Sequence, residues 1–439
     1  MNSWQRDFGW EIPGGRRVGG SLRVPGDKSI SHRAAILASL AAGRSHLHGF
    51  LTGEDTVNTA RAMAALGARI TGLSTPEMEI EGVGAAGLTT PRHDLDMGNA
   101  GTGIRLLTGV VAGQQVACSL TGDASLCSRP MGRILKPLRA MGARIEAEGA
   151  GDRAPLVVRP AGLTGIDYPS PIASAQVKSC VLLAGLGAHG RTAVHEPAPS
   201  RDHTERILPA FGVGVERLAD GAAITGGQRL TPCDLTIPGD LSSAAFFLVA
   251  AALSAGSTLT VVGVGVNPTR TGILDCLRAM GARVERVAER QEGGEPVADL
   301  VVTGGDLTGI EIGGTLMVRA IDEFPILAVA ACFADGDTTF RDAAELRMKE
   351  SDRIRAMAAA LRAIGGEVEE RPDGMIVHGR PLLPGGQIDS HGDHRVAMAL
   401  AIAASRCTGP VAIRNTACVD TSFPGFLRLL AEATGGGGK

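Results

Sequence analysis

The sequence predicts an α/β protein of two similar globules, each built from three copies of one unit. Three observations predict this. The chain has 439 residues, more than one ordinary core holds, so two or more compact domains are expected. One paragraph of sequence recurs six times: a small-residue apolar helix, a glycine turn into a β-rich stretch, and an amphipathic helix ending in glycine. Two nearly identical segments, VPGDKSIS (24–31) and IPGDLSSA (237–244), lie three copies apart.

The helices that open each copy are RAAILASLAAG (33–43), GIRLLTGVVAG (103–113), VKSCVLLAGLGAHG (177–190), SAAFFLVAAALSAG (243–256), FPILAVAACFADG (324–336) and HRVAMALAIAA (394–404). They are apolar almost all round, so they belong inside a globule, and their Ala and Gly content allows close packing. The closing helices are RAMAALGARI (61–70), PLRAMGARIE (137–146), ILPAFGVGVE (207–216), CLRAMGARVE (276–285), LRAIGGEVEE (361–370) and FLRLLAEATGG (426–436). Each has one apolar face, as at Ile207, Ala210 and Phe211, and a glycine stop before a β-branched strand. The third and sixth copies match least well. The duplicated PGD segments place the crossings between globules near 25/26 and 239/240. One domain is then 1–25 with 240–439, the other is 26–239, and the N-terminal strand joins the second half.

Composition removes several function classes. Hydrophobic residues make up 44% and charged residues 20%, which excludes a disordered chain. A net charge of -3 gives no basic field for nucleic acid and no polybasic membrane patch. Aromatics at 3% leave little for stacking bases. Met1 to Gly20 lacks a signal-peptide core, and no stretch reads as membrane-spanning, so a cytoplasmic protein is expected. The eight cysteines form no C-x-x-C pair and read as reduced core residues, and the ten histidines show no metal spacing. Lysine occurs only at 28, 136, 178, 349 and 439. Three of the four internal lysines fall in the densest polar motifs, where a compact ammonium group has a use.

Polar clusters stand before or at the start of every apolar helix. GDKSISHR (26–33) offers Asp27, Ser29 and Ser31 as caps to a helix from Ile30, with Lys28, Ser29 and Arg33 beside it. NAGTGIR (99–105) is a glycine-rich turn with Arg105, and GDASLCSRPMGR (122–133) carries Arg129. PIASAQVKS supplies Ser174, Ala175, Gln176 and Lys178, and PAPSRDHTER supplies Ser200, Arg201, Asp202 and His203. AIDEFPILAVAA sets Asp322 and Glu323 before an apolar helix, where burial suits a base, although such pairs are commonly caps. RMKESDR (347–353) puts Lys349, Glu350 and Arg353 on one helical face by spacing, which would equally describe a salt-bridged surface helix. HGDHRVAMA (391–399) puts His394 and Arg395 at the sixth helix. Converging helix N-termini with arginines, lysines and two candidate acids suits substrates bearing phosphate and carboxylate, with proton transfer.

In these motifs, in their order, and in TSFP (421–424), the chain closely resembles the 3-phosphoshikimate 1-carboxyvinyltransferase family, also called 5-enolpyruvylshikimate-3-phosphate synthases. The resemblance covers nearly the whole chain. It implies an enolpyruvyl-transferase-like fold, with each domain three βαβαββ units around buried helices and the active site in the cleft between domains. The implied reaction moves the enolpyruvyl group of phosphoenolpyruvate to the 5-hydroxyl of shikimate 3-phosphate in chorismate and aromatic amino acid biosynthesis. Addition, then elimination of phosphate, needs no metal or organic cofactor, and a monomer is expected.

Residue by residue, Lys28, Ser29, Arg33, Ser174, Ala175, Gln176, Ser200, Arg201, Asp322 and Lys349 resemble the shikimate 3-phosphate site. Lys28, Gly101, Thr102, Arg129, Gln176, Lys349, Arg353 and Arg395 resemble the phosphoenolpyruvate site. Asp322 resembles the base for the 5-hydroxyl, Glu350 the group handling the C3 proton, and Lys28 joins them as catalytic. Thr421 stands where many members carry Lys. Gly101, without a methyl, implies at least partial sensitivity to glyphosate. The alternative is the related transferase acting on UDP-N-acetylglucosamine, which relies on a loop cysteine; Cys118 and Cys127 sit in no comparable motif.

Overall fold

The computed structural model describes residues 8–435; residues 1–7 and 436–439 lie outside the described residues. The second copy of the repeat shows the unit in full. A short strand, Leu95–Asp96, leads through the buried helix Gly101–Gly113 to the strand Cys118–Thr121, with Leu95 opposite Leu120 in parallel register. Parallel neighbours need a crossover, and the apolar helix is that crossover. The amphipathic helix Gly132–Ala140 then returns the chain to a hairpin, Arg144–Gly149 and Arg153–Arg159, whose second strand lies antiparallel to Cys118–Thr121. The result is a four-stranded βαβαββ module, and five of the six sheets have this strand order.

Two modules borrow their leading strand. The first copy's sheet is completed by Asp234–Thr236, parallel to Arg44–His48. The fourth copy's sheet is completed by Gly20–Leu22, parallel to Thr258–Gly265. The third copy, weak in sequence, is a full module; Pro209 shortens its closing helix to His203–Ile207, continued as a 3-10 turn over Leu208–Phe211. The sixth is reduced. Among the described residues it has three strands, with Phe8–Ile12 pairing antiparallel to Val411–Arg414 where a hairpin would otherwise lie.

By its internal contacts the chain divides into two compact lobes. The N-terminal lobe comprises residues 26–238 and 291–295; the C-terminal lobe comprises 1–25, 239–290 and 296–439. The small segment 291–295 is the turn of the hairpin Arg283–Glu292 and Glu295–Thr303. Each lobe has its own core, and the inner helices are its centre: every residue of Leu241–Ala252 and of Phe324–Cys332 is buried. Packing is close enough to demand glycine. A Cβ placed on Gly109 would lie 2.2 Å from the Cys180 carbonyl oxygen, and one on Gly113 would lie 2.6 Å from that of Ala184. No described helix is long and apolar enough to cross a membrane.

Two sequence expectations are corrected here. The first inner helix runs Lys28–Leu40, starting two residues before Ile30, because Asp27 caps it by accepting from the Ile30 N–H at 2.9 Å. Lys349, Glu350 and Arg353 do not share a helical face. Ala344–Met348 is a 3-10 turn, Lys349 is extended, and the helix begins only at Arg353, where Asp352 accepts from the Arg355 N–H at 3.0 Å.

Candidate active site

The N-terminal lobe gathers one group of site residues at the starts of its three inner helices. Lys28 opens the first helix and pairs with Asp55. One turn on, the Arg33 guanidinium is buried and donates to the Ser29 carbonyl (2.8 Å), Thr204 Oγ1 (2.7 Å) and Ser179 Oγ (2.7 Å). Burial is the largest influence on Arg33 and brings it down to about 10, with Glu205 and Asp27 acting the other way and Arg201 adding to the fall. It stays a cation at neutral pH and ties the first helix to the third.

The second helix, starting at Gly101, has no side-chain cap, whereas Asp27, Ser174, Asp240 and Asp393 cap four of the others. Arg129 reaches toward this uncapped end. It donates to Asn99, and a Cβ on Gly101 would lie 2.9 Å from its Nη1. Gln176, in the first turn of the third helix, accepts from Arg105 Nη1 at 2.9 Å and donates to Thr102 Oγ1 at 2.9 Å. Uncapped N–H groups, the positive helix end and arginines together make an anion subsite.

Ser174 and Ser200 are joined by a residue the sequence reading did not single out. Glu196 Oε1 accepts from the Ser174 N–H (3.0 Å) and the Ser200 hydroxyl (2.6 Å), while its Oε2 lies 2.7 Å from Lys178 Nζ. Lys178 also pairs with Glu205 at 2.8 Å, and all three side chains are buried. Burial alone would lower the Lys178 pKa, but Glu205 and Glu196 outweigh it and raise it. Glu196 follows the strand Arg191–His195 and sits in no helix-start motif; Ser200 is four residues on, but Ser174 and Lys178 are 22 and 18 residues back, so spacing could not reveal the cluster.

The C-terminal lobe holds the second group, centred on Asp322. Its carboxylate lies within 3.9 Å of Lys349 Nζ, 3.8 Å of Arg353 Nη1 and 4.0 Å of Arg395 Nη2. Arg395 also donates to the Asp322 carbonyl at 2.8 Å. Arg353 is buried and held from both sides, by Asp393 (2.8 Å) and by Glu350 (2.7 Å). Burial opposes its charge, yet Asp393, Glu350 and Asp322 raise its pKa well above the ordinary arginine value. Lys349 is paired with Glu345 at 2.9 Å. Three cations around one carboxylate can receive a small dianion while leaving an acceptor for a proton.

Ala175 is the first residue of its helix, Arg201 acts on Arg33 through its charge, and Thr421 donates to the Cys418 carbonyl at 2.7 Å. Cys118 opens a strand and burial pushes its thiol up to about 12; Cys127 donates to the Gly122 carbonyl. Among the described residues, no cluster of His, Cys, Asp or Glu could hold a metal ion.

The fold is like that of the enolpyruvyl transferase NikO from Streptomyces tendae, which matches with a TM-score of 0.77, covering 96% of each chain at 20% identity. At that identity the likeness speaks for the fold. Sequence narrows it further. The EPSP synthase (3-phosphoshikimate 1-carboxyvinyltransferase) family profile matches residues 12–430, and the chain belongs to that family. A 3-phosphoshikimate 1-carboxyvinyltransferase of Alkalilimnicola ehrlichii is 53% identical over 96% of this chain and 94% of its own. One from Acidithiobacillus ferrooxidans is 54% identical over 95% of this chain and 96% of its own. The EPSP synthase structure from Acinetobacter baumannii matches with a TM-score of 0.88 at 45% identity, covering 96% of this chain and 97% of that one.

Proposed function

We infer that this chain transfers the enolpyruvyl group of phosphoenolpyruvate to the 5-hydroxyl of shikimate 3-phosphate, giving 5-enolpyruvylshikimate 3-phosphate and phosphate, in the route to chorismate. The observation that carries this reading is the Asp322 carboxylate ringed by Lys349, Arg353 and Arg395, in a member of this family. Ser29, Ser174, Ala175, Gln176, Ser200 and Arg201 bind shikimate 3-phosphate, with Arg33 behind Ser29 as well as in reach of that ligand. Gly101, Thr102, Arg129, Gln176, Lys349, Arg353 and Arg395 hold phosphoenolpyruvate, and Lys28 serves both substrates.

In the addition step C3 gains a proton, the 5-hydroxyl oxygen bonds to C2, and Asp322 takes the hydroxyl proton. The carbon is then tetrahedral. In the elimination step the C–O bond to phosphate breaks, the phosphate leaves with the bridging oxygen and the proton that Asp322 had taken, and C3 gives up a proton to restore the double bond. Glu350, held on Arg353, delivers and removes the C3 proton. Lys349, Arg353 and Arg395 move from Asp322 onto substrate anions, so the cations stabilise the departing phosphate while the carboxylate faces the hydroxyl. The cytoplasm is the site of action and the monomer the working form in this reading.

Phosphate release tests it. With phosphoenolpyruvate and no added metal, wild type should release phosphate with shikimate 3-phosphate and not with UDP-N-acetylglucosamine. Asp322→Ala should lower that rate at least about 100-fold, the usual span of a general base. Release with the nucleotide sugar alone would overturn the acceptor assignment.

A further inference from the structure

Glu196 has two features that its neighbours lack. A single carboxylate oxygen accepts from both the Ser174 N–H and the Ser200 hydroxyl, and the other oxygen is fixed by buried Lys178. Ser174 starts the third inner helix, whereas Ser200 lies in the loop before the helix His203–Ile207. These two segments are otherwise separate in the chain, so the carboxylate is a brace that sets the spacing of two serines. The brace itself is fixed. Lys178 is held by Glu205 as well as Glu196, and Arg33 is bonded to Thr204 and Ser179, so two cations and two carboxylates balance inside one buried cluster. An ion in such a cluster has few alternative positions, because leaving any member unpaired and buried is costly.

We propose that Glu196 is a positioning residue that sets Ser174 and Ser200 for the phosphate group of the acceptor, and thereby determines preference for a phosphorylated over an unphosphorylated acceptor. This rests on the reading that these serines meet the 3-phosphate. Glu196 itself does not touch the ligand: a carboxylate facing a phosphate would repel it, and here both its oxygens are occupied by Ser174, Ser200 and Lys178. Its effect is geometric, through the two groups it holds.

The experiment compares binding of shikimate 3-phosphate and of shikimate to the whole protein by calorimetry, together with KM for each substrate. Glu196→Gln keeps the size but turns an N–H group toward Lys178 and loses the charged acceptor. Losing a hydrogen bond to a charged group corresponds to about ten- to hundred-fold in binding, so the preference for shikimate 3-phosphate over shikimate should fall by about that factor. KM for phosphoenolpyruvate should stay within about two-fold. Glu196→Asp, which retains the charge but is one methylene shorter, should recover part of the preference and serves if the Gln variant does not fold. Equal weakening of both acceptors, or loss of kcat with unchanged preference, would show a merely structural role and overturn the proposal. Ser200→Ala separates the two readings. If it weakens shikimate 3-phosphate alone while Glu196→Gln does not, the brace fails and the phosphate site stands; if Ser200→Ala has no effect, both fail.

Discussion

Gly101 and Arg129 show how one missing methyl shapes a site. An alanine Cβ would meet Arg129 Nη1 at 2.9 Å and Arg105 Nη1 at 3.3 Å, both at the far ends of flexible side chains. The fold should tolerate Gly101→Ala, and the guanidinium of Arg129 should shift instead. The variant is expected to keep its unfolding midpoint, raise KM for phosphoenolpyruvate several-fold, and raise the glyphosate concentration for half inhibition by a larger factor. Inhibition unchanged from wild type would refute this. His32 makes a second residue-scale prediction. Burial first, then the charges of Lys28 and Arg33, hold its pKa well below the ordinary 6.5. The unfolded chain therefore takes up the proton first, so this contribution to stability is complete above about 6.5 and is lost as pH falls below it. Going from about pH 7.5 to about pH 5 should lower the melting temperature less in His32→Gln than in wild type. Half-buried His46, His195 and His378, raised by hydrogen bonds to carboxylate partners, act in the opposite sense but equally in both proteins. Identical falls would count against the buried histidine.

At the scale of elements, the inner helices carry the fold's tightest tolerance. A methyl on Gly109 would meet the Cys180 carbonyl oxygen first, at 2.2 Å, and backbone cannot swing away as a side chain can. Gly109→Ala should cost roughly 1–3 kcal/mol, the usual range for overpacking, read as a lower urea midpoint with an unchanged slope; a midpoint within error of wild type would mean the helices are not locked at this crossing. The contrast with Gly101 separates glycines needed for substrate from glycines needed for packing. Helices of this kind were legible in the sequence because their apolar character runs all round and recurs. Local starts were less so. Asp27 was legible as one of three candidate caps, but the helix start at Lys28 and the extended Lys349 depend on single side-chain and backbone choices that periodicity averages over.

Over the whole molecule, the two modules with borrowed leading strands explain why repeated sequence segments do not coincide with structural modules. Gly20–Leu22 and Asp234–Thr236 are each far in sequence from most of the sheet they complete, so pairing rather than proximity defines those sheets. The α/β class and the family were legible from motif order, since nine motifs and a repeat constrain each other. Glu196 was not, because only folding brings Ser174 and Lys178 to it from another motif. Asp322 and its cations were visible as motifs, but their common centre was not: Lys349 and Arg353 share one motif, Arg395 lies in another, and all three meet at a carboxylate from a third.

The most direct measurement follows the oxygen that bridges carbon and phosphorus in phosphoenolpyruvate. With that oxygen labelled as ¹⁸O and shikimate 3-phosphate as acceptor, phosphorus NMR reads the label in the released phosphate. Addition and elimination at C2 predicts one ¹⁸O in every phosphate released and none in the enol ether. Label retained on carbon would mean P–O cleavage, hence phosphoryl transfer, and would contradict the enolpyruvyl mechanism.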